Sequence, residues 1–264
     1  MAEDRYVRSK DGSVIGFRVS GAGPPLLLVH GAAVDGRSWA PVVPHLAERF
    51  TVHVMDRRGR GLSLREGGPY RIEREGEDIA AVAEAAGRGV FLVAHSFGAL
   101  CALRASPFPA TVGRAALYEP PLSSPWRAPT PPEVIVRLRG LARAGDHDGV
   151  LAAVMREVLG LSARQVDALR GARRFWRTSL DNAPPLVRET ESVGSVGDLG
   201  PLNGIGVPVR LLVGERSPAY QRPTADALAA LIPGAGVTVL KGQGHMAMLE
   251  DPALLAATLS AFAA

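Results

Sequence analysis

A serine stands where a predicted strand gives way to a predicted helix. Residues 90–101 read V-F-L-V-A-H-S-F-G-A-L-C, an apolar run followed by small and apolar residues at helical spacing. This pattern predicts a strand, a sharp turn and a helix, with Ser96 at the apex of the turn. The hydroxyl would project clear of the sheet, beside helix-terminal N–H groups that favour developing negative charge. The spacing matches G-x-S-x-G with Ala94 in place of the first glycine, and it indicates a nucleophilic serine.

A serine hydroxyl is a weak nucleophile and needs a base within hydrogen-bond reach. His245 is the candidate base, because Gly242 and Gly244 beside it let the backbone bring an imidazole over the sheet. The remaining histidines lack the spacing with cysteine or carboxylate partners that a metal site needs. We therefore expect neither a metal nor another cofactor.

The elements that must position these residues alternate between strand and helix. The predicted strands are a hairpin over Tyr6–Val19 that turns at Asp11-Gly12, then Pro25–Val29, Thr51–Met55, Val90–Ala94, Arg114–Tyr118, Val207–Val213 and Val237–Leu240. The predicted helices between and after them are Ser38–Ala47, Ile72–Ala86, Phe97–Ala105, Thr224–Leu231 and Pro252–Phe262. Such alternation predicts an α/β fold whose mostly parallel sheet is covered on both faces.

Polar residues follow the predicted strands closely. They are His30, Asp56, Ser96, Glu119 and Glu215, with His245 in the loop after the last strand. Functional sites of such sheets form at the carboxyl ends of the strands. The coincidence indicates one site built from several strand ends.

Residues 120–200 interrupt the alternation. After a proline-rich stretch, four helical patterns follow without a strand, at about Glu133–Ala144, His147–Leu159, Ala163–Leu180 and Pro185–Val193. An ordinary crossover between parallel strands needs far fewer residues. The sequence therefore predicts a core made of residues 1–119 and 201–264, with residues 120–200 inserted as a helical cap.

Taken together, the motifs resemble the α/β-hydrolase family, in the subgroup with a serine nucleophile and a helical cap. The resemblance rests on His30-Gly31, on A-H-S-F-G at 94–98, on G-Q-G-H at 242–245 and on the chain order nucleophile, acid, histidine. The segment D-R-R-G-R-G-L-S at 56–63 also resembles the family's D-x-R-G-x-G-x-S loop. The resemblance covers about residues 6–264 and implies an eight-stranded type of sheet.

The same resemblance implies roles for residues beside the nucleophile. An oxyanion hole would use the backbone N–H groups of Ala32 and Phe97, each of which contributes roughly 10²–10³ in rate where such donors operate. His30 and His95 would brace loops, and Asp56 would brace the turn that follows it.

A cap of this kind roofs the pocket, so apolar cap side chains are expected to line it. Trp126 and Trp176 are the candidate substrate-binding residues. Packing between helices is the more ordinary role for both, as it is for Phe175.

The acid of the triad is where the sequence departs from the family. After Gly214, the places where the acid usually stands hold Arg216 and Ser217, neither of which can orient and balance a histidine. Glu119, directly after a predicted strand, is our first candidate, since some members carry the acid at this earlier strand end. Glu215 is the second candidate, and a site without a functional acid is the third possibility.

Composition limits the other function classes. The chain has 264 residues, 47% of them hydrophobic, and can bury a large core. Its net charge is +4, but the basic residues are spread along the chain, so no nucleic-acid partner is expected. No apolar run approaches ~18 residues, and the single Cys101 excludes an internal disulfide. We expect a soluble cytoplasmic protein without membrane contact, as a monomer or homodimer, with a small molecule as its partner.

These residues predict a serine hydrolase for an ester, lactone or thioester of a small or medium apolar molecule. The acyl group would be carried on Ser96. The alternative is a cofactor-free lyase or cyclase, or an acyltransferase, that uses His245 as general base in the same pocket. The third hypothesis is a non-catalytic protein of this fold that binds a small molecule, and the intact Ser96 and His245 argue against it.

Overall fold

The computed structural model describes residues 2–105, 108–122, 128–193, 199 and 201–264. Eight strands form a single sheet. They are β1 (Glu3–Arg8), β2 (Val14–Ser20), β3 (Pro25–Val29), β4 (Thr51–Met55), β5 (Val90–His95), β6 (Val112–Tyr118), β7 (Val209–Gly214) and β8 (Gly236–Leu240).

The strand order is β1-β2-β4-β3-β5-β6-β7-β8. The first two pairings, β1 with β2 and β2 with β4, are antiparallel, and every later pairing is parallel. In register, Leu28 lies between Val54 on β4 and Val93 on β5. The predicted α/β fold with an eight-stranded, mostly parallel sheet is confirmed.

Eleven α-helices accompany the sheet in the described part of the chain. They are α1 (Val43–Ala47), α2 (Ile72–Ala86), α3 (Phe97–Arg104), α4 (Pro132–Arg143), α5 (His147–Ala153), α6 (Ala163–Gly171), α7 (Arg173–Asp181), α8 (Leu186–Glu191), α9 (Gln221–Leu231), α10 (Ala247–Glu250) and α11 (Pro252–Ala263). None of the described helices is both long and apolar enough to cross a bilayer.

Each face of the sheet is buried under its own set of helices. One apolar cluster joins the sheet to α2, α3 and α9, and includes Leu27, Leu92 and Leu228. The other joins it to α1 and α11, and includes Leu28 and Leu259. Side chains on both faces of β5 are buried, which explains why its sequence is almost continuously apolar.

Two predicted helices are broken in the structure. The predicted helix over Ser38–Ala47 is a 3₁₀ turn, Gly36–Trp39, followed by the short α1, because Pro41 between them has no N–H to continue the hydrogen bonds. The predicted helix over Ala163–Leu180 is the pair α6 and α7, since Ala172 has a ψ of 68° that interrupts the helix.

Between β6 and β7 the described residues form helices and no strand. These helices, α4 to α8, have their own apolar cluster, which includes Leu138, Leu151 and Val166. We call α4 to α8 the cap helices. The division into a core and a cap at residues 119/120 and 200/201 stays a prediction.

Candidate active site

Ser96 occupies a strained turn between β5 and α3. Its φ of 51° and ψ of −123° lie in a region that side-chain-bearing residues rarely adopt. Hydrogen bonds hold it there: its N–H donates to the Tyr118 carbonyl at 2.7 Å, and its own carbonyl accepts from Ala99 and Leu100. Such strain persists only where the surroundings fix it, and it is common at functional positions.

Close backbone approaches explain the glycines around this turn. A Cβ at Gly98 would lie 2.5 Å from the carbonyl oxygen of His30, and one at Gly31 would lie 2.9 Å from the Cβ of Ser96. Ala94, by contrast, is an ordinary buried position on β5. The departure from G-x-S-x-G therefore falls at a place where a methyl group fits.

The structure brings Glu119 and His245 together. The imidazole Nδ1 lies 2.5 Å from Oε2 of Glu119, and the other carboxylate oxygen accepts the N–H of Gly214 at 2.7 Å. The carboxylate is fully buried, whereas the imidazole is about one-third exposed. Nδ1–H donates to the carboxylate in this arrangement, which leaves Nε2 of neutral His245 free to accept a proton.

Glu119 reaches the histidine from a neighbouring strand end. It follows β6 directly, and its N–H donates to the carbonyl of Leu212 on β7 at 3.2 Å. Its φ of 49° is positive, so the backbone turns sharply there. The adjacent ends of two parallel strands therefore hold the carboxylate between them.

The second acid candidate makes a different contact. The Glu215 carboxylate is exposed and accepts the N–H of Gly242 at 2.8 Å. Arg216 pairs with Glu250 at 2.8 Å, and Ser217 lies beside Gly214. These residues brace the loop that carries His245, whereas Glu119 contacts the imidazole itself.

A cavity of about 610 Å³ opens beside the turn, and both Ser96 and His245 line it. Its walls are largely aliphatic or aromatic, and many of these side chains belong to residues 154–193. They include Met155, Val158, Leu161, Leu169, Phe175 and Leu186. The cavity is large enough for a medium-sized apolar substrate.

Ala32 and Phe97 line the same cavity. Phe97 is the first residue of α3, where backbone N–H groups have no intrahelical acceptor. Within the described residues neither its N–H nor that of Ala32 donates to another backbone or side-chain group. Both residues thus keep an N–H group without an acceptor among the described residues, at the cavity that Ser96 also lines.

His30 and His95 are buried and each is held by backbone groups. His30 Nε2 accepts the N–H of Arg57 at 3.0 Å, so its Nδ1–H donates to the Gly31 carbonyl at 2.8 Å. His95 donates from Nε2 to the carbonyl of His245 at 2.8 Å. Burial lowers the pKa of both well below the usual value, helped by Arg57 at His30 and by His245 at His95.

These two neutral histidines predict that the free energy of unfolding falls in mild acid. The unfolded chain takes up protons near pH 6.5 at both positions and the folded chain does not, so stability present above pH 6.5 is lost as the pH falls. Each should account for a loss on the order of 1 kcal/mol between pH 7.5 and 5.5. Urea unfolding at the two pH values should show a loss smaller by on the order of 1 kcal/mol in His95→Asn than in the wild type, and equal losses would contradict the prediction.

Of the two tryptophans predicted to bind substrate, only Trp176 lies in the described part of the chain. Trp126 lies outside the described residues. Trp176 is buried in the cluster of the cap helices, where its Nε1–H donates to Asp148 at 2.8 Å and Arg170 lies over its ring. Among the described side chains, it is the neighbouring Phe175 that lines the cavity.

A buried arginine cluster lies next to the cavity, and no pattern in the sequence predicts it. Arg57 donates to both carboxylate oxygens of Glu75, at 3.1 and 2.7 Å, and to Glu189 at 2.6 Å. Arg60 donates to the same oxygen of Glu189 at 2.5 Å. The one signal in the sequence is three arginines among the eight residues 56–63, directly after a buried strand.

The chain matches a known protein family both in sequence and in structure. The model of the alpha/beta hydrolase family matches residues 26–258. A solved alpha/beta hydrolase from Sphaerobacter thermophilus DSM 20745 is 34% identical, with a TM-score of 0.88 over 98% of this chain and 100% of that chain. The predicted membership is confirmed: the chain belongs to the α/β hydrolase family and is an enzyme of that family.

Two relatives of known activity are similar over nearly their whole length. A pimeloyl-(acyl-carrier protein) methyl ester esterase of Stenotrophomonas maltophilia is 31% identical, over 93% of this chain and 95% of that protein. The N-formylmaleamate deformylase of Pseudomonas putida is 28% identical, over 89% of this chain and 87% of that protein.

Proposed function

We propose that this enzyme is a serine hydrolase that cleaves an ester, lactone or thioester of a small or medium apolar molecule. The observation that carries the proposal is the 2.5 Å contact between His245 and Glu119, at a cavity that Ser96 also lines. The apolar walls of the cavity support an apolar substrate. The methyl ester esterase among the relatives supports ester cleavage.

In the proposed mechanism, Nε2 of His245 takes the proton of the Ser96 hydroxyl as the oxygen attacks the substrate carbonyl. The amides of Ala32 and Phe97 donate to the negatively charged oxygen of the tetrahedral intermediate. The protonated His245 gives its proton to the leaving group, and the carboxylate of Glu119 stabilises its charge. Water activated by the same imidazole then cleaves the acyl-enzyme.

The alternative of a lyase, cyclase or acyltransferase rests on the irregular position of the acid. A histidine oriented by a buried carboxylate, at a cavity that a serine also lines, is the arrangement that nucleophilic catalysis needs. The contact between Glu119 and His245 therefore favours hydrolysis over base catalysis without a covalent intermediate.

A serine-directed fluorophosphonate tests the proposal by intact-mass measurement at neutral pH. We expect one adduct on the native protein, none on Ser96→Ala, and none on unfolded wild type, because only the folded site activates the hydroxyl. The adduct should form fastest with a short alkyl phosphonate that fits the cavity. An adduct on Ser96→Ala, or none on folded wild type, would refute an activated Ser96.

A further inference from the structure

The carbonyl of Gly31 and the N–H of Ala32 belong to one peptide unit. The Gly31 oxygen accepts from Nη1 of Arg57 at 3.1 Å and from Nδ1 of His30 at 2.8 Å. A trans peptide is planar, and its C=O and N–H point in opposite directions. Two donors on the oxygen therefore fix the direction in which the Ala32 N–H points.

Arg57 also contacts the residue that would supply the second oxyanion donor. Its guanidinium carbon lies 4.7 Å from the centroid of the Phe97 ring. Its own backbone N–H fixes the tautomer of His30, the other donor to Gly31. The buried Arg57 side chain thus contacts the peptide that carries the Ala32 N–H and also the ring of Phe97, the residues that would supply the two oxyanion donors.

Two carboxylates hold this guanidinium in place, one from α2 and one from the cap helices. Glu75 on α2 accepts two of its hydrogen bonds, and Glu189 on α8 accepts a third. Burial alone would lower the pKa of Arg57, but Glu189 and Glu75 outweigh it and raise this pKa well above the usual value. Arg57 is therefore charged whenever the enzyme is folded.

We propose that Arg57 is a positioning residue for the oxyanion hole, and that Glu189 makes its position depend on α8 of the cap. The inference rests on the proposed function. A fixed cation behind the Ala32 peptide keeps the N–H aimed at the oxyanion and strengthens it as a donor. Its effect should appear where negative charge develops on the substrate oxygen, and not in substrate binding.

The test compares turnover with the affinity for a tetrahedral adduct in Arg57→Lys. Lysine keeps the charge but cannot bond Glu75, Glu189 and Gly31 together. We expect kcat for p-nitrophenyl butyrate to fall about 10- to 100-fold, somewhat less than the loss of a whole donor. KM should stay within about threefold, and the affinity for butylboronic acid, which forms an anionic adduct on a serine, should fall in proportion to kcat.

Arg58 supplies a matched control in the same loop. It is equally buried and donates to Asp78 at 2.7 and 2.8 Å, but it does not contact the Gly31 peptide. Arg58→Lys should cost comparable thermal stability while leaving kcat and boronate affinity within about threefold. Equal losses of kcat in the two variants would overturn the proposal, as would a folded Arg57→Lys that keeps both values.

Glu189→Gln keeps the test decisive if Arg57→Lys does not fold. The amide oxygen can still accept from the guanidinium, but the charge that holds it is gone. We expect a smaller parallel loss, about three- to tenfold, in kcat and boronate affinity. A loss confined to KM would show that Glu189 acts only as part of the cavity wall and would overturn the coupling to the cap. Wild type that neither turns over p-nitrophenyl esters nor binds the boronate would instead contradict the proposed function.

Discussion

Ser96→Ala is expected to lower kcat/KM for the enzyme's best ester by at least about 10⁴-fold, without loss of thermal stability. Alanine removes the atom that forms the acyl-enzyme, and the rate that remains comes from the oxyanion donors and from binding. The strained backbone at this position is unaffected, because alanine has the same restriction on a positive φ as serine. Initial rates over a range of substrate concentrations, together with a thermal unfolding curve, measure both quantities.

Ser217→Ala is the matched control for this experiment. Ser217 is the other serine among the described residues that line the cavity, and it stands where the family usually places its acid. Its replacement should leave kcat/KM within about threefold, because it takes no part in the proposed proton transfers. Ser96→Ala with kcat/KM within tenfold of the wild type would contradict an acyl-enzyme on Ser96 and favour base catalysis by His245.

The central strands of the sheet were predictable because they are buried on both faces. Such strands are continuous apolar runs, and the predicted Pro25–Val29 and Thr51–Met55 coincide with β3 and β4. At β7 the prediction begins two residues early, since Pro208 cannot donate to a neighbouring strand. Chain order and strand ends then suffice to place Ser96, Glu119 and His245 at one edge of the sheet.

Residues whose roles depend on distant partners were not predictable. Arg57 is buried because Glu75 and Glu189, 18 and 132 residues away, neutralise it, and arginine is otherwise a surface residue. Phe175 and Trp176 are neighbours on α7, where successive side chains point about 100° apart. Which of them lines the cavity depends on how α7 packs against the other cap helices, and helical spacing alone does not contain that information.

Glu119→Gln is expected to lower kcat by about 10⁴-fold, the size of effect seen when an amide replaces the acid of a serine triad. The geometry around this carboxylate explains why. Oε1 accepts the N–H of Gly214, so the amide oxygen of glutamine must take that place. The amide NH₂ group then faces Nδ1 of His245, which must accept instead of donate. The imidazole proton moves to Nε2, and Nε2 can no longer take the proton of Ser96.

Glu215→Gln is the matched control. It removes the charge of another carboxylate beside the loop that carries His245, but one that does not contact the imidazole. Its carboxylate is exposed and accepts only the N–H of Gly242 among the described contacts, a bond that an amide oxygen also accepts. We expect kcat within about threefold of the wild type, because a neutral acceptor preserves the loop. If Glu215→Gln abolishes activity and Glu119→Gln retains it, the acid belongs to the end of β7. If neither variant loses activity, His245 works without a carboxylate, and the buried contact with Glu119 serves only to hold the loop.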